Sequence, residues 1–335
     1  MLGRSRRQFL WDSVALAGLS LLSAREVAGQ QIAKVPRTGF LAVGPREGLR
    51  TLLLEGLLQG LREHGYVEGQ NIVIEYRFSG DRDDRLAALA AELVALKVQL
   101  IVVSGTPATF AAKKATSTIP LVMGGLAANP VDTGLVASLG RPGGNITGMT
   151  LMTSELGGKR LELLKAIVPG LSRVAVVWNP LNPTYGPVFK ELEEAAPTAG
   201  VKLQRVEVRA PTDFEGAFKA ATRQRAGGLL VPGDPLTANR FKMIADLALK
   251  YRLPTTADNK EFVQDGGLLS LGPDLVDLYR RAATHVDKIL KGATAADLPM
   301  EQPTKFELAV NVKTAQALGL TVPQSILIQA THVLQ

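Results

Sequence analysis

From Arg37 onward, short apolar runs alternate with helix-like stretches, and at Arg173 the same series starts again. The first series reads as a strand at 37–43 (RTGFLAV), a helix at 49–64, a strand at 71–78 (NIVIEYRF), a helix at 84–97, a strand at 100–103, a helix opening on Thr106-Pro107, and a strand arriving at Ile119-Pro120. The second reads as a strand at 173–180 (RVAVVWNP), a helix at 185–199, a strand at 201–208, a helix at 213–224, a strand at 228–231, a helix at 237–251, and a strand entered at Leu253-Pro254. Strands separated by helices specify a parallel sheet with helices on both faces. Gly65 and Gly200 stand 135 residues apart, Pro120 and Pro254 134, and Gly105 and Gly233 128. Near-constant offsets of this kind predict two similar doubly wound lobes. The tail does not repeat: it reads as a strand at 267–271, a long helix at 275–291, a strand at 306–312 and a short helix at 312–318. A block too small to bury its own core must add to the two sheets. The expected fold is therefore α/β, two doubly wound parallel-sheet lobes joined by a multi-crossover hinge.

A length of 335 residues suits two such lobes. Hydrophobic residues make up 46% but aromatics only 5%, so the cores must be aliphatic, as buried parallel layers require. The chain has no cysteine, which excludes disulfides, a lipidated N-terminal Cys, Cys-ligated metal and Cys nucleophiles. Of the seven formal positive charges, two belong to the first 30 residues, where four arginines face Asp12 and Glu26. The rest are interleaved with acids along the predicted helices, which describes a solvated surface and argues against nucleic acid as a partner.

Residues 1–30 read as an export signal: a basic start at Arg4–Arg7, an apolar stretch from Val14 to Leu22, and small residues near Ala28-Gly29. Ser5-Arg6-Arg7-Gln8-Phe9-Leu10 matches the twin-arginine pattern, which implies bacterial export and a periplasmic mature chain.

Catalytic and metal motifs are missing. His64, His285 and His332 are scattered without metal-ligand spacing, no HExxH, Walker loop, GxSxG or GxGxxG occurs, and no carboxylate pair stands out as an acid/base couple. The expectation is a protein that is not an enzyme and carries no cofactor or metal. Two turns stand apart. Ser104-Gly105-Thr106-Pro107 follows one predicted strand, with Thr106 read as a helix N-cap, and Gly233-Asp234-Pro235 follows its counterpart in the second series. In doubly wound lobes ligands bind beyond the carboxyl ends of strands, where both turns lie. Thr106, with free backbone amides, suits a carboxylate, while Asp234 suits an ammonium; either turn alone also reads as a plain helix start. Gly44, Asn129, Asn179 and Asp258 occupy further strand ends.

These segments resemble a known family. EHGYVEGQNIVIEYRF (63–78), NPVDTGLVASLGRPGGNITG (129–148), GKRLELLKAIVPGLSRVAVVWNP (158–180) and GPDLVDLYRRAATHVDKILKG (272–292) are similar to the ABC transporter substrate-binding proteins that include the tryptophan-binding TrpX-like members. The resemblance covers Val35 to Gln335. It implies a type I periplasmic-binding-protein fold, two lobes joined by three crossovers, and a small ligand, an amino acid or similar, held in the cleft of a monomer that serves ABC permease subunits. Carried over, the cleft segments fall on Ser104, Gly105 and Thr106, on the loop 124–129 with Ala127 and Asn129, and on Asn179, Asp234 and Asp258. Asn129 stands where many members have Asp, and Leu271 where an aromatic is common, departures that point away from an aromatic ligand. The lobes are expected at 35–150 with 272–300 and at 151–271 with 301–335. An exported sensor that signals its bound state is the alternative to a transport receptor.

Overall fold

The computed structural model describes residues 35–80, 82–125, 129–151, 156–182 and 184–335; the predicted export signal and Ala127 lie outside them. The first series forms β1 (Arg37–Ala42), α1 (Leu49–Glu63), β2 (Val73–Phe78), α2 (Leu86–Ala95), β3 (Ile101–Ser104), α3 (Thr106–Ala115), β4 (Leu121–Met123) and β5 (Ile146–Gly148). The second forms α4 (Gly157–Ile167), β6 (Arg173–Trp178), α5 (Tyr185–Ala199), β7 (Lys202–Glu207), α6 (Phe214–Arg223), β8 (Gly228–Val231), α7 (Pro235–Ala238), α8 (Phe241–Lys250), β9 (Thr255–Ala257), α9 (Lys260–Gln264) and β10 (Leu269–Pro273). The tail adds α10 (Leu275–Leu290), β11 (Phe306–Asn311), α11 (Val312–Ala317), α12 (Gln324–Gln329) and β12 (His332–Leu334).

The strands make two sheets. One has the order β2-β1-β3-β4-β5 and is parallel throughout. The other has the order β12-β11-β10-β9-β8-β6-β7, parallel except where β10 meets β11. Adjacent residues of the central strands enter opposite layers, as the two-residue period of a strand dictates. Phe40 and Ala42 join one apolar cluster while Leu41 and Val43 join another. In the second sheet, Val174 and Val176 face one cluster, and Ala175 and Val177 the other. Both sheets are thus covered on both faces, which is why their strands read as continuous Val, Leu, Ile and Ala.

The chain passes between the sheets after β5, again between β10 and α10, and again before β11. α10 follows the last parallel strand of the second sheet but packs on α1 of the first. The crossing segments are paired. Thr150 N donates to Glu301 O at 2.9 Å, Glu301 N to Gly148 O at 2.9 Å, and Asp274 N to Lys305 O at 3.1 Å. Pro36–Gln335 forms one compact unit.

The structure departs from expectation at three places. The predicted helix 237–251 is two helices. Asp234 accepts a hydrogen bond from Leu236 N and caps α7, so it starts at Pro235, and Arg240 leaves helical geometry at φ −136° before α8 begins. Thr106 is not an N-cap, because Gly105 takes that place at φ 94°, a conformation that favours glycine. The C-terminal α12 and β12, which no expectation covered, extend the second sheet, with β12 parallel to β11.

Close packing of α1 on α10 depends on Gly60, where a Cβ would lie 2.0 Å from the Arg280 carbonyl oxygen. Gly216 of α6 has no atom within 4 Å of such a Cβ. Alanine gains about 0.5–1 kcal/mol over glycine in either helix. Gly216→Ala is therefore expected to raise the urea midpoint, while Gly60→Ala lowers it by an overpacking cost of roughly 1–3 kcal/mol that exceeds that gain; equal shifts in the two variants would show that α1 and α10 can part freely.

Candidate functional site

Because each helix follows a parallel strand, the helix starts lie at the carboxyl edge of each sheet. Five such starts meet at one small cavity of about 70 Å³. α1 contributes Leu49, Arg50 and Leu53; the turn into α3 contributes Gly105 and Thr106; the turn into α7 contributes Asp234 and Pro235; Asp258 and Asn259 precede α9; and Leu275 and Tyr279 come from α10. The walls therefore come from elements of both sheets. A second, larger cavity of about 440 Å³ lies beside it and shares Pro235; Gly44, Asn179, Arg82, Arg209 and Arg240 are in its wall.

Of the nine residues expected to bind ligand, Gly105, Thr106, Asp234 and Asp258 line the small cavity. Gly44 and Asn179 line the larger one. Ser104 is fully buried at the end of β3, where its hydroxyl accepts from Arg50 Nη1 at 2.9 Å and lies 2.6 Å from the Tyr279 hydroxyl. Asn129 lines neither cavity; its Oδ1 accepts from Val131 N at 3.0 Å in a local turn. Ala127 lies outside the described residues. Leu271 also lines neither cavity. It packs on the core of the second sheet, and its carbonyl accepts from Arg160 Nε at 2.7 Å.

Arg50, Tyr279 and Asn182 went unmarked as site residues in the sequence. Arg50 is only 5% exposed, and its Nε donates to Val43 O at 2.9 Å. A signal for it existed: a cation in the first turn of a helix opposes the helix dipole, so Arg in the second residue of α1 needs another reason to be there. Burial lowers its pKa, while Tyr279, Asp83 and Asp234 raise it. Asn182, which stands before Pro183 as an ordinary turn residue would, donates through Nδ2 to Asp234 Oδ2 at 2.6 Å inside the protein.

The two buried acids differ in how they are satisfied. Asp234, 4% exposed, accepts from Asn182 through Oδ2 and from Leu236 N through Oδ1. Asp258, 2% exposed, has no hydrogen-bond partner at Oδ1. Burial pushes both carboxyls above their ordinary value; for Asp258 the Arg160 guanidinium opposes that rise. Of the two carboxyls, Asp258 is therefore the one with an unpartnered buried oxygen in the cavity wall. Among the described residues no cluster of His, Cys, Asp and Glu could hold a metal ion, and no helix is long and apolar enough to cross a membrane.

A family profile described as "ABC transporter substrate binding protein" matches residues 48–334. A tyrosine-binding protein of Clostridioides difficile (strain R20291) is 26% identical over 266 residues, 79% of this chain and 76% of that protein. A conserved domain protein of Vibrio cholerae O1 biovar El Tor superposes with a TM-score of 0.84 at 26% identity, over 90% of this chain and all of that one. An ABC domain from Streptococcus pneumoniae in complex with L-Trp does so with a TM-score of 0.82 at 26% identity, over 89% and 99% of the two chains.

Asparagine is a neutral counterpart of protonated aspartate, so Asp258→Asn isolates the charge. A carboxyl whose folded-state pKa lies above its unfolded value binds more protons in the native state, so stability falls as pH rises through that interval. Without ligand, the melting temperature of Asp258→Asn relative to the unsubstituted protein is expected to climb as pH rises from about the ordinary carboxyl value of 3.8. Melting curves measured from pH 3.5 to 7.5 check this, and a difference independent of pH would show that Asp258 is not strained by its burial.

Proposed function

The chain belongs to the ABC transporter substrate-binding protein family, and on that premise we propose that it is the extracytoplasmic solute receptor of an ABC importer. The family and the relatives matched here are substrate-binding proteins, not enzymes. In this reading the chain works as a monomer, captures one small amino-acid-like molecule between two lobes, and presents the closed form to membrane permease subunits. The lobes are 35–150 with 272–300 and 151–271 with 301–335, and the paired crossing segments serve as the hinge. Export by the twin-arginine route, supported by Ser5-Arg6-Arg7-Gln8-Phe9-Leu10, delivers it to the periplasm.

The observation that carries the reading is the cavity itself, which needs both sheets to exist. Arg50, Gly105 and Thr106 stand on elements of the first, and Asp234 and Asp258 follow strands of the second. A Cβ placed on Gly105 would lie 3.2 Å from Pro235 Cγ, so the two expected jaws stand one side-chain atom from contact. A ligand enclosed there would contact both lobes only when they meet, and differential contact of that kind drives hinge closure.

Two measurements test the proposal. In a thermal-shift screen of the mature protein against amino acids, carboxylates and sugars, a ligand at about 100 times its Kd is expected to add about 2.7 kcal/mol of stability, and the same ligand should shrink the radius of gyration in X-ray scattering. Stabilisation without compaction would reject hinge closure. Replacing Arg6 and Arg7 together by Lys is expected to leave the chain in the cytoplasm; export at the unchanged level would assign it to the general secretory route.

A further inference from the structure

Resting on the receptor reading, the geometry points to a narrower ligand: a zwitterion with a small, non-aromatic side chain, its carboxylate on Arg50 and its ammonium on Asp258. Charge defines the two poles. Arg50 uses Nε for Val43 O and Nη1 for Ser104 Oγ, bonds that fix the guanidinium while Nη2 carries neither. Ser104 is in turn held by the Tyr279 hydroxyl. A clamped guanidinium beside converging helix starts suits a carboxylate. On the other side, Oδ1 of Asp258 is buried without a partner in a residue that lines the same cavity. A buried acceptor left open is costly until something donates to it. An ammonium supplies both the donor and the opposite charge. A sugar supplies only donors, and a dicarboxylate would bring a like charge against Asp258.

Size sets the side chain. The cavity of about 70 Å³ is roughly half the ~150 Å³ that accepts a benzene ring in an engineered apolar cavity. Its apolar wall is aliphatic, formed by Leu49, Leu53, Leu151 and Leu275. Among the described residues the one aromatic in the wall, Tyr279, is engaged with Ser104. Pro235, which would lie 3.2 Å from a Cβ on Gly105, is common to both cavities and narrows the passage from one to the other. The relatives described as tyrosine-binding and as holding L-Trp take larger ligands than this chamber admits.

Isothermal titration of the mature protein with glycine, L-alanine, L-serine, L-valine, L-tyrosine, L-tryptophan, acetate and methylamine tests the inference. Glycine, alanine or serine is expected to bind tightest, with tyrosine and tryptophan at least 100-fold weaker. Acetate and methylamine, each lacking one pole, should fall as far behind. Asp258→Asn and Arg50→Gln are expected to lose at least 100-fold. Because Arg50 is buried and its variant could fail to fold, Leu53→Ala provides a gain-of-binding test: by widening the chamber it should improve valine relative to alanine at least 10-fold. Tyrosine or tryptophan as the tightest ligand, or an unchanged valine-to-alanine ratio in Leu53→Ala, would overturn the small-zwitterion assignment and leave the receptor reading standing. No heat and no thermal shift with any amino acid, sugar or carboxylate would overturn both.

Discussion

The parallel alternation of strand and helix is the constraint on which the rest of this structure depends. A helix that follows a parallel strand has to start at that strand's carboxyl end, so every such helix start falls on the same edge of its sheet. Two such sheets facing each other then bring positive helix ends together from both directions. α1, α3, α7, α9 and α10 all present their first turns or capping residues to one cavity. Converging N-termini favour negative charge, which makes two buried aspartates tolerable there and gives an anionic ligand group a place to bind. Arg50, buried in the first turn of α1, adds a full positive charge where partial ones already gather.

That concentration of charge is expensive in the empty protein. Asp234 meets the cost locally, because Asn182 and the amide of Leu236 bond both its oxygens. Asp258 keeps one oxygen without a partner, and Arg160 and the backbone at Gly233 oppose its desolvation without cancelling it. On the proposed reading, that unsatisfied acceptor is what a ligand's donor would relieve. The same logic explains the chain Arg50, Ser104, Tyr279. Its members fix one another's geometry, so the cation is positioned before any ligand arrives and less ordering is left to be done on binding.

How much of this could be read from the sequence follows the range of the interactions. Alternation and duplication are local or periodic signals, and they predicted most of the repeated strands and helices: α5 and β8 fall on their expected bounds, and β1, β6 and α10 within two residues. The place of the turns at Gly105 and Asp234 in the cavity wall was legible because each follows a predicted strand and so falls at the carboxyl edge of its sheet. Pairings across the fold were not legible. Ser104 and Tyr279 are 175 residues apart, and Asn182 and Asp234 52. Asp234 and Asp258 look alike as letters after a strand; only the neighbours that the fold supplies make one a satisfied cap and the other an open acceptor. Thr106 failed as an N-cap for a similar reason, since the glycine before it could take a backbone angle that removes the need for a side-chain cap.

The close approach of Pro235 to the space a Gly105 side chain would fill links the duplication to the division of the cleft. Both residues belong to the repeated turns, and they meet at the boundary between a small charged chamber and a larger one. A Cβ on Gly105 would lie 3.1 Å from Val43 Cγ2 and 3.2 Å from Pro235 Cγ, so a larger residue there would press on both neighbours. Proline on the opposing turn has a rigid ring and a fixed φ, so it gives little way. On the proposed reading, the limit on ligand size would then be set at this narrow passage by residues that carry no charge, while the charged residues of the cavity would decide which end of the ligand points where.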